Sequence, residues 1–364
     1  MRSTVSVVHC DNYDPQNVYE AVSRALNVLG GVGNFVSQGE KILVKPNFLT
    51  PASPDKPITT HPSVINSVTR ILAEGGYSFK CGDSPGFGSC ETAFEKLGLD
   101  KACIAPMDRA VRKNGFILTN DAAEADAIIG VCKMKTHMLE KVTGAVKNMY
   151  GLIYGKNKAL GHVSYPNAAS FARMLARLHK ATPQRLHIMD GIVAMEGNGP
   201  ASGTPVQMDL ILASADPVAL DTVFCRLIDL EPRLVPTNTF GARAGIGTCR
   251  EEDIDILFEG EPIGVEELCA RCGKPDFDVR REKEAPTALG MLSRVTGKIG
   301  NRPHIDPAKC LKCGVCVEHC PVEGHAVRFV NGRDQVPVYD YKKCIRCYCC
   351  QEICPGHAIY SGRK

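Results

Sequence analysis

Five apolar runs punctuate the first two thirds of the chain: ILVKPNF (42–48), FKCGDS (79–84), AIIGVCKMK (127–135), RLHIMDGI (185–192) and DLILASA (209–215). Near 15–29, 62–75, 166–180 and 217–229, apolar residues recur at helical spacing instead. This alternation predicts an α/β domain over residues 1–265, a largely parallel sheet covered by helices. Ligands then bind beyond the C-terminal strand ends. Residues 266–305 are charged and weakly periodic, which predicts a linker with one helix near 286–297. Residues 306–364 read as a small α+β domain, in which AVRFVNGRDQVPVYD sets Asn331-Gly332 between apolar runs as a hairpin signal.

The N-terminal MRSTVSVVHCDNYD alternates like a strand and has no apolar core of a secretory signal. No stretch approaches the roughly 18 apolar residues needed to cross a bilayer. The chain is therefore expected to be cytoplasmic, without a membrane span. In that reducing setting its 18 cysteines in 364 residues are metal ligands or core thiols rather than disulfides. Cys10, Cys81, Cys90, Cys103, Cys132, Cys225 and Cys249 are scattered and read as small core residues, and the isolated Cys269-x2-Cys272 pair is by itself weak evidence for a site.

Eight cysteines form a pattern of a different kind. CLKCGVCVEHCP (310–321) is echoed by CIRCYCCQEICP (344–355), two copies of Cys-x2-Cys-x2-Cys-x3-Cys-Pro. Zinc ribbons also use Cys-x2-Cys pairs, but a zinc ion stops at four ligands and has no use for a third Cys followed by Cys-Pro. The duplicated pattern resembles a bacterial ferredoxin module with two 4Fe-4S clusters, in which the Cys before Pro ligates the other cluster. The resemblance implies Cys310, Cys313, Cys316 and Cys354 for one cluster, and Cys344, Cys347, Cys350 and Cys320 for the other. Cys349 is then a ninth, small residue in the binding loop or an alternative ligand. The formal charge of +3 becomes roughly −1 once two oxidised clusters are counted. With basic residues dispersed and no basic-aromatic ladder, nothing suggests nucleic acid.

The strands of the α/β domain end in polar loops: Lys45 and Asn47, Asp83 and Ser84, Lys133, Lys135 and His137, Asp190 and Glu196, joined by Lys147 and Asn148 of TGAVKNMYGL. A parallel sheet converges them on one rim, where a lysine cluster suits an anionic small molecule, with Lys45, Asn47, Asp83, Ser84, Asn148, Asp190 and Glu196 binding and Lys135, Lys147 and His137 in catalytic roles. His137 is the proton donor expected from its near-neutral pKa. Local readings compete: Asp216 and His61, each before Pro, have the position of helix caps, and EGNGPASGTP is either a surface loop or a lid. GLIYGKNK and SPGFGSCE fail the phosphate-loop and dinucleotide patterns.

VKPN, THPSV, GDSPG, K-x-KTH, TGAVKNMYGL, MDGIVAMEGNGP and ASADPVALD, in this order, resemble the domain-of-unknown-function 362 family, in which such an α/β domain is frequently followed by the same ferredoxin module. The resemblance implies an iron–sulfur protein of an anaerobe and supplies no reaction. Two functions stay open. One is a ferredoxin-coupled oxidoreductase acting at the rim, with a redox partner protein and a further, unknown redox cofactor admitted. The other is a non-enzymatic electron carrier whose α/β domain docks that partner.

Overall fold

The computed structural model describes residues 2–155, 157–282 and 301–362. Its strands are, in chain order, β1 (Ser3–His9), β2 (Ile42–Lys45), β3 (Phe79–Cys81), β4 (Ala110–Lys113), β5 (Phe116–Thr119), β6 (Ala127–His137), β7 (Lys141–Thr143) and β8 (Gln184–Glu196). They continue as β9 (Thr204–Ser214), β10 (Ile254–Phe258), β11 (Glu261–Pro262), β12 (Arg302–Ile305), β13 (Val327–Arg328), β14 (Val338–Tyr339) and β15 (Ile359–Gly362).

One mixed sheet runs β11-β10-β1-β9-β8-β6-β2-β3, with β7 paired to β6. The strands β1, β2, β3, β6, β8 and β10 point one way, and β7, β9 and β11 run against them. This is the α/β class expected from the alternation, with one added feature. The stretch between β8 and β9 is too short to house a crossover helix, so β9 returns antiparallel. The β10 and β11 edge and the β4–β5 hairpin are elements that the apolar runs do not announce.

Strand β6 shows why the sheet has two covered faces, since all eleven of its residues are buried. Ile129 and Val131 pack with Val18 and Val22 of the helix Pro15–Val28 and with Val64 and Val68 of Pro62–Glu74. Cys132 and Met134 face the other way, toward Val223 and Phe224 of Pro217–Leu227. Ile128 meets Phe171 and Leu175 of Ala168–Ala181. A strand buried on both faces reads as a continuous apolar run, and this one carries Lys133, Lys135 and His137 at its end. Two helix starts behave as caps. Asp216 accepts from the Val218 and Ala219 N–H groups, and His61 Nδ1 accepts from Ser63 N.

Within the stretch read as a linker, the helix Val265–Cys272 buries Leu268, and Phe277 is also buried in the same core cluster. The helix expected near 286–297 lies outside the described residues. In the C-terminal module β12 pairs with β15 and β13 with β14, both antiparallel. The Asn331-Gly332 hairpin is there, with a long connection between strands of two residues each. Two short helices, Val315–Glu318 and Cys349–Glu352, each follow the first cysteines of a motif. Among the described residues, no helix is long and apolar enough to cross a membrane.

Candidate functional site

The rim begins where β2 ends. Lys45 Nζ forms a buried ion pair with Asp83 Oδ1 at 2.7 Å and donates to Pro46 O at 2.7 Å and to Asn148 Oδ1 at 3.1 Å. Burial pushes this lysine's pKa down, and Asp83 opposes the shift. Asn47 links the next cation: its Oδ1 accepts from Lys135 Nζ at 2.7 Å while its Nδ2 donates to Asn148 Oδ1 at 3.1 Å. Lys135 also donates to Ile58 O at 2.6 Å. Both of these oxygens are neutral, so desolvation drives Lys135 well below the usual lysine range. A buried charge needs partners, and these lysines share one connected set of oxygens.

Gly151 lets that set close. A Cβ there would stand 1.9 Å from Asp83 Oδ1 and 2.7 Å from Lys45 Nζ, so only glycine admits the backbone this near. Lys147 and Asn148 ride on the helix Ala145–Asn148, whose first N–H groups bind Asp221, Ala145 N to Oδ1 at 2.6 Å and Val146 N to Oδ2 at 3.1 Å. Burial pushes the Asp221 carboxyl up to about 7 against those two donors. Among the described residues Lys147 makes no hydrogen bond or close ion pair.

His137 has a different position from that of a free proton donor. Its Nδ1 accepts from Leu139 N at 3.0 Å and Glu140 N at 3.1 Å, so Nε2 carries the proton and donates to Glu352 Oε1 at 2.8 Å. Burial, reinforced by the Lys147 charge, holds the ring at about 3 and hence neutral. Burial pushes Glu352 up, but the His137 hydrogen bond and Lys147 outweigh it and leave the carboxyl at about 2. His137 thus stands behind a carboxylate supplied by the C-terminal module.

That carboxylate lines a cavity of about 740 Å³ between the two parts of the chain. Asn47, Asp83, Ser84, Lys147, Asn148 and Lys158 form one side, with the Ser84–Gly88 loop. Cys320, Pro321, Cys349, Glu352 and Ile353 form the other. Lys158 donates to Ser84 Oγ and, at 2.9 Å, to Ile153 O, and burial lowers its pKa to about 8.

The structure therefore brings Lys45, Asn47, Asp83, Ser84, Lys135, Lys147 and Asn148 together. Asp190 and Glu196 lie elsewhere, and the carboxylates near the lysines are Asp83 and Glu352. Asp190 pairs with Lys133 at 2.8 Å, accepts from Tyr13 Oη at 2.9 Å and binds His61 N at 2.9 Å, a closed group under the stacked Tyr13 and His61 rings. Glu196 accepts from Asp278 N at 2.8 Å. Removing one partner of a buried ion pair strands the other. Asp190→Ala is accordingly expected to lower the unfolding free energy by about 3–5 kcal/mol in urea melts, and Lys133→Met in the same chain to restore part of it.

The loop EGNGPASGTP holds the modules together. Gln351 Nε2 donates to Asn198 O at 2.8 Å and Gly199 O at 3.2 Å, Asn198 Nδ2 donates to Ile359 O at 3.0 Å, and Ser202 Oγ meets His357 Nδ1 at 3.0 Å. Lys158, His162, Tyr150 and Glu352 are site residues that sequence reasoning missed. Lys158 ends GLIYGKNK, which fails the phosphate-loop pattern, His162 lies four residues beyond it with no motif around it, and Glu352 sits inside a cysteine motif where ligand spacing claims all notice.

The cysteines gather in two sets. Cys316 has Cys354, Cys313 and Cys310 as electrostatic neighbours, and these four line one hollow. Cys344 is near Cys347 and Cys320, and Cys350 near Cys347 and Cys344. The two sets are built alike: Ala326 N donates to Cys320 Sγ at 3.3 Å and Ala358 N to Cys354 Sγ at 3.4 Å. Thiols in fours, with backbone donors aimed at sulfur, fit iron–sulfur clusters.

A family model described as a domain of unknown function (DUF362) matches residues 42–226, and one described as a 4Fe-4S dicluster domain matches 302–355. A thylakoid-associated protein of Synechocystis sp. is 35% identical over 265 residues, 69% of this chain and 83% of that protein. Among solved structures, the lactate racemase apoprotein of Thermoanaerobacterium thermosaccharolyticum is 11% identical with a TM-score of 0.40, over 61% of this chain and 56% of its own. A Thermotoga maritima protein is 12% identical with a TM-score of 0.37, over 66% and 60%. The chain thus spans little more than half the length of either.

Proposed function

The chain belongs to the domain-of-unknown-function 362 family and carries an iron–sulfur electron-transfer domain, and from its site we propose that it is an oxidoreductase acting on an anionic small molecule held between its two modules. The observation that carries this reading is shared lining: Cys320 and Cys349 face the same cavity as Lys147 and Lys158. A protein that only carried electrons would have no use for a built cavity at that place.

We assign two 4Fe-4S clusters to the two thiol sets, which when loaded supply one-electron transfer. Lys147 provides the unpaired positive charge for the anion, and Lys158, fixed by Ser84, provides a second. Asn47 and Asn148 hold Lys45 and Lys135 so that their charges stay inside the wall. His137 positions Glu352 and keeps it ionised. Cys313 is exposed and Leu311 is 66% exposed, and this face receives a redox partner protein.

The test is electron paramagnetic resonance of the anaerobic, dithionite-reduced protein titrated with pyruvate. Only the signal of the cluster that includes Cys320 is expected to change, and Lys147→Gln is expected to weaken the response at least tenfold. An anion response on neither signal overturns the reading in favour of a plain electron carrier.

A further inference from the structure

Electron transfer and charge pairing leave one group of the cavity without a role. His162, on the helix Asn157–Ser164, lines the cavity and is only 5% exposed. Its ring stacks on Phe171 at 4.6 Å and 8° and meets the Tyr150 ring edge-on at 5.6 Å, so its plane is fixed. Yet Nδ1 is buried with no hydrogen-bond partner among the described residues. That atom has no surface open to the cavity, so a ligand meets the ring through Nε2, which also has no hydrogen-bond partner among the described residues.

The rest of the cavity says what kind of ligand. The carboxylates nearest the lysines are already engaged, Asp83 with Lys45 and Glu352 with His137. Glu318 and His319 stand on the opposite wall. Lys147 therefore asks for an anion. Leu49, Phe87, Leu160 and Ile353 offer apolar wall that a bare inorganic anion leaves empty. A carbon skeleton with a carboxylate at one end and a second oxygen a few atoms away satisfies both demands.

We infer that the cavity binds a small organic acid, its carboxylate on Lys147 and a second oxygen at His162, which takes up a proton as the ligand enters. This rests on the anion-binding reading above and adds a residue and a substrate class to it. The direction of the proton follows from the neighbours. In the free protein burial holds the ring at about 4, with the Lys147 charge lowering it and Glu352 opposing. A bound carboxylate neutralises Lys147 and supplies an acceptor, and both changes favour the protonated ring. His162, and not His137, is then the group that touches the ligand.

The experiment is calorimetric titration of the anaerobic holoprotein with acetate, pyruvate, glutarate and 2-oxoglutarate, at pH 6.5 in buffers of different ionisation enthalpy. Binding of at least one acid with uptake of more than half a proton is expected. His162→Phe keeps the ring stack and removes both nitrogens, and it should abolish the uptake and weaken binding about tenfold. His162→Gln, which restores a polar atom near Nε2, should recover part of the affinity without the uptake. Binding that Lys147→Gln removes but that shows no proton uptake and no response to His162→Phe overturns the assignment of His162 and leaves the anion site standing. Failure of every acid to bind overturns the anion site itself.

Discussion

Cys320→Ser is expected to cost the protein the cluster held by Cys344, Cys347 and Cys350, while the cluster beside Cys310, Cys313 and Cys316 remains. In sequence Cys320 is four residues from Cys316 and far from Cys344, so simple proximity along the chain predicts the reverse. In space Cys320 is a neighbour of Cys344, and Cys354 is a neighbour of Cys316. A thiolate at one corner cannot be replaced by a hydroxyl of much higher pKa without loss of affinity. Anaerobically purified wild type should contain about eight iron and eight sulfide per chain, and the variant about half. Cys354→Ser should give the mirror result. Loss of the sequence-adjacent cluster from Cys320→Ser would falsify the crossed assignment, and stoichiometric zinc in place of iron would remove its basis.

Acid should unfold this protein early. His137, His162, His179 and His187 are buried and held at about 3, 4, 4 and 3 against a usual value of 6.5, burial being the leading cause for each. The folded chain therefore refuses protons that the unfolded chain accepts below 6.5. Stability is complete above that pH and is lost as the pH falls toward the folded values. Each ring contributes about 1.4 kcal/mol per pH unit once well inside the window, so four rings cost on the order of 6–8 kcal/mol between pH 6.5 and 5. That rivals the whole stability of many domains. Glu352, lowered to about 2 from 4.5, adds a further loss only below about 4.5. Anaerobic urea midpoints at pH 7.5, 6.5 and 5.5, read by circular dichroism, should fall steeply over the last step. His187→Asn should make the slope shallower by about one proton, and a midpoint that is flat down to pH 5.5 would count against the neutral rings.

The cluster module was the most legible part of the sequence because ligand spacing is local: four cysteines in a row of eleven residues declare a thiol loop, whatever surrounds them. The α/β class was legible for a related reason, since each apolar run of β2, β6 and β8 is buried on both sides of one sheet. The antiparallel return of β9 was not, because apolar runs carry no direction and the short NGPASG connection is equally compatible with a surface loop or a lid. The rim was half legible. Lys45, Asn47, Lys135, Lys147 and Asn148 follow strand ends, and strand ends gather. Asp190 instead lies inside β8, in register with Lys133 of β6, which captures it. Glu352 carries no local signal, because its role exists only when the second module is laid against His137.

The cavity wall draws on residues from Asn47 to His162 and again from Glu318 to Ile353. During synthesis the first group leaves the ribosome long before the second, and contacts between segments so far apart in sequence close last. Until residues 318–353 are out and folded, the wall that carries Lys147 and His162 has no opposite side and confines nothing. The site is thus a late product of translation and cannot trap a small acid on a nascent chain.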